Sequence, residues 1–177
     1  MPDIVIRRFA SADADQVTAL FAAYTDETFG APSRMTRDVL VRDGQGRYFN
    51  TILAVDRADS AIGFAAWRET YDLHNAVAGS EIPDLFVAKS RRGHGVSLRL
   101  VAAVARATLE RGGTFVKGEV LQDDRRRLRL ARRMTVGFTG EHVYLSGEGL
   151  RQLAGLANSD IKTIARNLPT PDASRRP

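Results

Sequence analysis

The stretch best suited to chemistry is Ser90-Arg91-Arg92-Gly93-His94-Gly95-Val96-Ser97. Backbone N–H groups at the start of a helix have no partner within it and sit at the positive end of its dipole. A glycine-bearing turn there lets a phosphate approach them closely. Gly93 and Gly95 permit that approach, Arg91 and Arg92 add positive charge, and His94 contributes its backbone. No Gly-Lys-Ser/Thr follows, so this is not a Walker loop, and the glycine spacing differs from the dinucleotide fingerprint. A second group is acidic: Asp26, Glu27, Asp72, Glu81 and Asp84 would together suit a cationic amine, and each alone also suits solvated surface, a turn or a cap. His74 and Tyr144 are side chains able to move protons.

These groups need elements to hold them. Ile4, Ile6 and Phe9 suggest a short strand, and Ser11 with Asp13 and Asp15 reads as a helix start. Val17, Leu20, Phe21 and Tyr24 then fall at helical spacing as far as Phe29-Gly30, and Thr36 to Arg42 suggests a second short helix. Two strand-like runs, 49–55 and 62–70, flank the polar turn Asp56-Arg57-Ala58-Asp59-Ser60 and predict a hairpin. A loop with Asp72, His74 and Asn75 leads to a strand at about 81–88, where Pro83 implies a bulge or an edge. Val96, Leu100, Ala103, Val104 and Ala107 form one face of a helix after the glycine loop. A strand over 114–121, a basic helix over 123–135 and a last strand near 141–145 follow. Tyr24 and Trp67 read as packing residues, and His142 as a simple strand residue.

With 177 residues, 44 % of them hydrophobic, the chain can build one sizeable core. It has no cysteine, which excludes disulfides and thiolate metal sites, and no metal site is expected. No apolar run approaches the roughly 20 residues of a membrane span, and no signal peptide is visible, so a cytoplasmic protein without a membrane partner is expected. The formal charge of +5 favours phosphate-rich partners in general. No internal repeat or linker divides the chain. The reading is one α/β (α+β) domain over 1–146, a helical extension over 147–168 and a disordered tail over 169–177.

The run from Leu85 to Val101 resembles the acetyl-CoA-binding segment of the GNAT N-acetyltransferase family. The family pattern Gln/Arg-x-x-Gly-x-Gly/Ala appears as Arg92-x-x-Gly95-x-Ser97, and the surrounding elements and Gly137-Phe138 come in the family's order. The resemblance covers roughly residues 3–146. It implies a mostly antiparallel central sheet with splayed strands, flanked by helices, and acetyl-CoA as donor, held by Leu85, Phe86, Val87, Arg91, Arg92, Gly93, His94, Gly95, Val96 and Ser97. It implies an acceptor site near Tyr24, Asp26, Glu27 and Asp84. Ile82-Pro83-Asp84-Leu85-Phe86-Val87 and Thr70-Tyr71-Asp72 also look like the spermidine/spermine branch. Three positions depart from the family: Ser97 replaces a glycine or alanine, Pro83 a frequent glutamate, and Arg133 a frequent tyrosine that acts as acid.

Attack on a thioester needs a neutral amine, yet an alkylamine has a pKa of about 10.4, so a base is required. Glu81, on the strand face of Pro83 provided no bulge intervenes, is the first candidate and His74 the second. Tyr144 would supply the acid if its strand faces the thiol. The expected reaction is acetyl transfer to a primary amine of a small molecule or peptide. The missing tyrosine and glutamate also fit a catalytically degenerate acyl-CoA-binding protein. The arginines between Arg125 and Arg133 also fit an aminoacyl-tRNA acetyltransferase, although nucleic acid is not the favoured partner. The C-terminal helices are candidates for packing on the domain or for a homodimer interface.

Overall fold

Strands that are apolar on both faces must be covered on both, and Ile52-Leu53-Ala54-Val55 is such a run. The computed structural model describes residues 4–120 together with Thr163, Arg166 and Asn167. In it, five strands, β1 (Val5–Arg8), β2 (Asn50–Val55), β3 (Ala61–Asp72), β4 (Val77–Val87) and β5 (Phe115–Gly118), form one sheet in sequence order. The first four pair antiparallel, and β4 and β5 pair parallel. The parallel step needs a crossover, which α3 (Val96–Glu110) provides. The helices α1 (Ala14–Phe29) and α2 (Arg37–Asp43) lie between β1 and β2 in the chain.

The side-chain alternation divides the core into two layers. Ile52, Ala54, Ile62, Ala65, Trp67, Ile82 and Val87 pack with Val96, Leu100, Val104 and Ala107 of α3. On the opposite face Leu53, Val55, Phe64, Ala66 and Phe86 pack with Ala14, Val17, Leu20 and Phe21 of α1 and Leu40 of α2. Phe21 stacks on Phe64 with ring centroids 4.1 Å apart. This is the mixed, mostly antiparallel sheet flanked by helices that the sequence predicts.

Three local expectations need correction, and one about Pro83 holds. Ser11 does not cap α1: it opens a short 3-10 turn, Ser11–Asp13, whose entry is closed by Asp13 accepting from Ala10 N at 2.8 Å. The strand expected from Glu81 begins at Val77, because β3 and β4 form a long hairpin closed by an Asx turn. In that turn Asp72 accepts from the backbone N–H groups of His74 and Asn75 at 2.9 and 3.1 Å. Pro83 does mark a bulge, since Ala66 pairs with Asp84 and Arg68 with Glu81, leaving Ile82 and Pro83 opposite the single residue Trp67. It also stands where β4 loses its second neighbour, since among the described residues β4 pairs with β5 only as far as Ile82. β5 is shorter than expected, ending at Gly118.

Among the described residues no helix is long and apolar enough to cross a membrane, and no group of three His, Cys, Asp or Glu residues is arranged to hold a metal ion. The basic helix with Arg125 to Arg133, the last strand with His142 and Tyr144, and the expected boundaries at 146 and 168 lie outside the described residues.

Candidate active site

β5 pairs with β4 only from Gly79 to Ile82. The parallel strands can come together there because position 79 is glycine: a Cβ would lie 2.5 Å from the Phe115 ring. From Pro83 to Val87, β4 keeps its antiparallel partner β3 but has no strand on its other side among the described residues. The bulge, and a proline that has no N–H to give, coincide with the end of that pairing. Leu85, Phe86 and Val87 therefore carry backbone along an open edge that leads into the glycine loop.

The loop begins with the 3-10 turn Lys89–Arg91 and enters α3 through two left-handed glycines, Gly93 at φ 85° and Gly95 at φ 75°. Gly95 is the residue before the first helical position, Val96. Among the described residues no atom outside the immediate chain neighbours lies within 4 Å of where a Cβ would stand on either glycine. The first N–H groups of α3 have no partner within the helix. Val96 itself is 2 % exposed and packs in the core, so its contribution to any ligand is through the backbone. Ser97 is half-buried, and His94 is exposed.

Arg91 and Arg92 do not extend into that space. Arg92 donates from both terminal nitrogens to the two Glu27 oxygens, at 2.7 and 2.8 Å, and from Nε to Val87 O at 2.8 Å. Its guanidinium lies 5.4 Å from the centre of the Phe86 ring. Arg91 donates to Asp56 at 2.7 Å. Asp56 also accepts from Ala58 N and Ser60 N, so one carboxylate shapes the β2–β3 turn and receives Arg91.

On the α1 face the bulge has a further effect. It shifts the alternation by one, so that Phe86, Asp84 and Glu81 all project towards the side of Phe64, Ala66 and Arg68. Asp84 is the first such residue past the last β4–β5 pair. Burial pushes the Asp84 carboxyl above the ordinary aspartate value, and the neighbouring Tyr24 of α1 opposes that rise. Tyr24 also packs edge-on against Phe64 and at a tilt against Phe86.

The five-carboxylate pocket anticipated from the sequence does not assemble. Glu27 is turned to Arg92, and Glu81 accepts from Arg68 Nε at 2.9 Å. Asp72 and His74 close the β3–β4 hairpin. That tip is seven residues along β4 from Asp84, about 20 Å at the usual strand rise. Asp26 is exposed on α1. What the structure does bring together is Tyr24 with Asp84 beside the open edge of β4, and Glu27 with Arg92 beneath the loop. Asp56 and Arg68 were missed by the sequence reading. Asp56 was visible as a turn residue, but nothing local tied it to an arginine 35 positions away.

The sequence model of the acetyltransferase (GNAT) family matches residues 14–138, and the chain belongs to this family, whose members are acetyltransferases. No curated protein matches the chain. Among solved structures it is similar to an integron cassette protein from the mobile metagenome of V. cholerae, with 19 % identity, 85 % of this chain and 97 % of that one covered, and a TM-score of 0.69. It is also similar to an aminoglycoside acetyltransferase from an uncultured soil metagenomic sample, in complex with sisomicin, with 20 % identity, coverage of 81 % and 95 %, and a TM-score of 0.67. A third is an aminoglycoside N-acetyltransferase in complex with CoA, with 18 % identity, coverage of 83 % and 96 %, and a TM-score of 0.64. At these identities the likeness is one of fold.

Proposed function

We propose that the protein transfers an acetyl group from acetyl-CoA to a primary amine of a cationic small molecule or peptide, with Asp84 as the proton acceptor. The observation that carries this reading is the loss of β5 pairing at the Pro83 bulge, one residue before the half-buried Asp84 and on the strand that feeds the glycine loop. The family match supports the donor, as does the solved relative that holds CoA. Gly93, His94, Gly95, Val96 and Ser97 would receive the pyrophosphate through the backbone, and the pantetheine arm would pair along Leu85 to Val87.

An ammonium group entering beside Asp84 finds a carboxylate that is costly to keep charged where it is. A carboxyl with a raised pKa is also a better proton acceptor at neutral pH than an ordinary aspartate. The amine, once neutral, attacks the thioester carbonyl. The oxygen that gains charge needs donors placed in advance, and backbone N–H groups on the open edge of β4 suit that role. CoA leaves as a thiolate, which its thiol pKa of about 8.5 permits without a dedicated acid. Tyr144 remains the candidate acid, outside the described residues. Asp84 replaces Glu81 and His74 as the leading base because Glu81 is held by Arg68 and His74 lies at the hairpin tip.

The acceptor class rests on the half-buried Asp84 carboxylate and on the likeness to a solved aminoglycoside acetyltransferase in complex with sisomicin. The test is thiol release from acetyl-CoA across a panel of aminoglycosides, polyamines and lysine-bearing peptides. Turnover with a cationic amine, lost in Asp84→Asn, is the expected result. Binding of acetyl-CoA without turnover on any amine would instead establish an acyl-CoA-binding protein.

A further inference from the structure

The eight residues from Ala88 to Gly95 join β4 to α3, and two of them are glycines in the left-handed region with nothing packed where a side chain would be. Two backbone hydrogen bonds, Arg91 N to Ala88 O at 2.8 Å and Arg92 N to Lys89 O at 3.3 Å, give the loop its local shape. Such a segment is entropically expensive to hold still, and a ligand recognised by backbone N–H groups must otherwise supply that ordering from its own binding energy. At its start Ala88 N donates to Ile62 O of β3 at 3.0 Å, and beyond that point the ties to the rest of the fold are side chains, Lys89 lying 3.9 Å from Glu27 among them. Arg91 reaches Asp56 in the β2–β3 turn, and Arg92 reaches Glu27 on α1 and the last carbonyl of β4.

We propose that Glu27 is a positioning residue of the donor site, acting through Arg92, and that Asp56 does the same through Arg91. The two arginines hold the loop to the fold and are not phosphate ligands. This rests on the acetyl-CoA reading of the loop and moves Glu27 from the acceptor side to the donor side.

The geometry of Arg92 is specific to this task. Its Nε and both terminal nitrogens are engaged at 2.8 Å or less, its plane lies against buried Phe86, and a carboxylate balances its charge. The planar fork satisfies Glu27 and Val87 O together, which a lysine cannot do. Phe86 and the α1 helix belong to the sheet face opposite α3. The guanidinium therefore anchors the loop from beneath, while the N–H groups of the α3 start remain available above. Tyr24 and Glu27 are three residues apart and share a helical face, so one turn of α1 supports Asp84 and the donor loop alike.

The direction of one affinity change discriminates between roles. If Arg92 were a phosphate ligand held back by Glu27, removing that carboxylate would tighten acetyl-CoA binding. If Glu27 positions the loop, removal weakens it. Calorimetric titration with acetyl-CoA, without any acceptor, should show Glu27→Ala and Arg92→Ala each weakening binding by about tenfold. The double variant should be no weaker than Arg92→Ala alone, because the two residues act as one unit. Glu27→Gln, which keeps the side-chain shape, provides the same comparison should the alanine variant fail to fold. Unchanged or tighter binding in the Glu27 variants, with or without a lower melting temperature, overturns the proposal, as do additive losses in the double variant. Absence of binding by the folded wild type would instead remove the donor-site reading itself, and this inference with it.

Discussion

Asp84 opposes folding where it serves the reaction. Its carboxyl is pushed up by burial, so the folded chain favours the neutral form. The stabilisation tied to that preference is complete below the ordinary carboxylate pKa and is lost as pH rises through the raised value. Asp84→Asn keeps the size and shape of the side chain and carries no charge to desolvate. It should melt at a higher temperature than wild type at pH 7, with the gap closing as the pH falls below 4, while kcat drops by about 10²- to 10³-fold. Thermal melts across pH and steady-state assays check the two halves separately. Equal loss of stability and activity would make Asp84 a packing residue. The sequence made Asp84 visible as an acidic residue in a recognisable strand. It did not show which acid would face α1, because that depends on the one-residue shift at Pro83, and such a shift reverses every face assignment upstream of it.

At the scale of elements, the turn into α3 was the most legible part of the chain. Glycine spacing, the preceding apolar strand and the following helical face are all local signals. Gly95 at φ 75° meets no neighbour, so Gly95→Ala introduces conformational strain without a clash. A loss of about 1 kcal/mol in urea unfolding, with the m-value unchanged, is expected. A loss several times larger would mean the space beside Gly95 is not open. The first half of β4 was harder to see, since Val77-Ala78-Gly79-Ser80-Glu81 mixes small and polar residues with little strand character of their own. Their pairing is supplied by the Asx turn of Asp72 and by the cross-strand Arg68–Glu81 contact. The arginines of the donor loop show the same limit: their type was read correctly as cationic, and their partners came from α1 and the β2–β3 turn.

At the scale of the whole molecule, the α1 side of the sheet is tied to the first strand by a charged cluster. Arg7 of β1 makes a bidentate contact with Asp13, both bonds at 2.7 Å, and reaches Asp59 at 3.0 Å. The Asp13 side chain is 8 % exposed. The Arg7 bonds and the Ala10 N–H hold its carboxyl below the usual aspartate value against the cost of burial. The stabilisation this brings is present above the ordinary carboxylate pKa and disappears as the pH falls through the lowered one. Asp13→Asn should therefore cost about 2–3 kcal/mol at pH 7 and progressively less in acid, measured by urea titration at several pH values. A cost that does not diminish in acid would point to packing and not to charge.

If acetyl-CoA binds along β4 past Pro83 and at the start of α3, calorimetric titration should separate wild type from Gly95→Glu, because the substitution places a carboxylate and a side chain where the pyrophosphate would lie. Micromolar binding by wild type and none by the folded variant is the expected result. Failure of folded wild type to bind at millimolar acetyl-CoA, or equal binding by both proteins, would rule the site out.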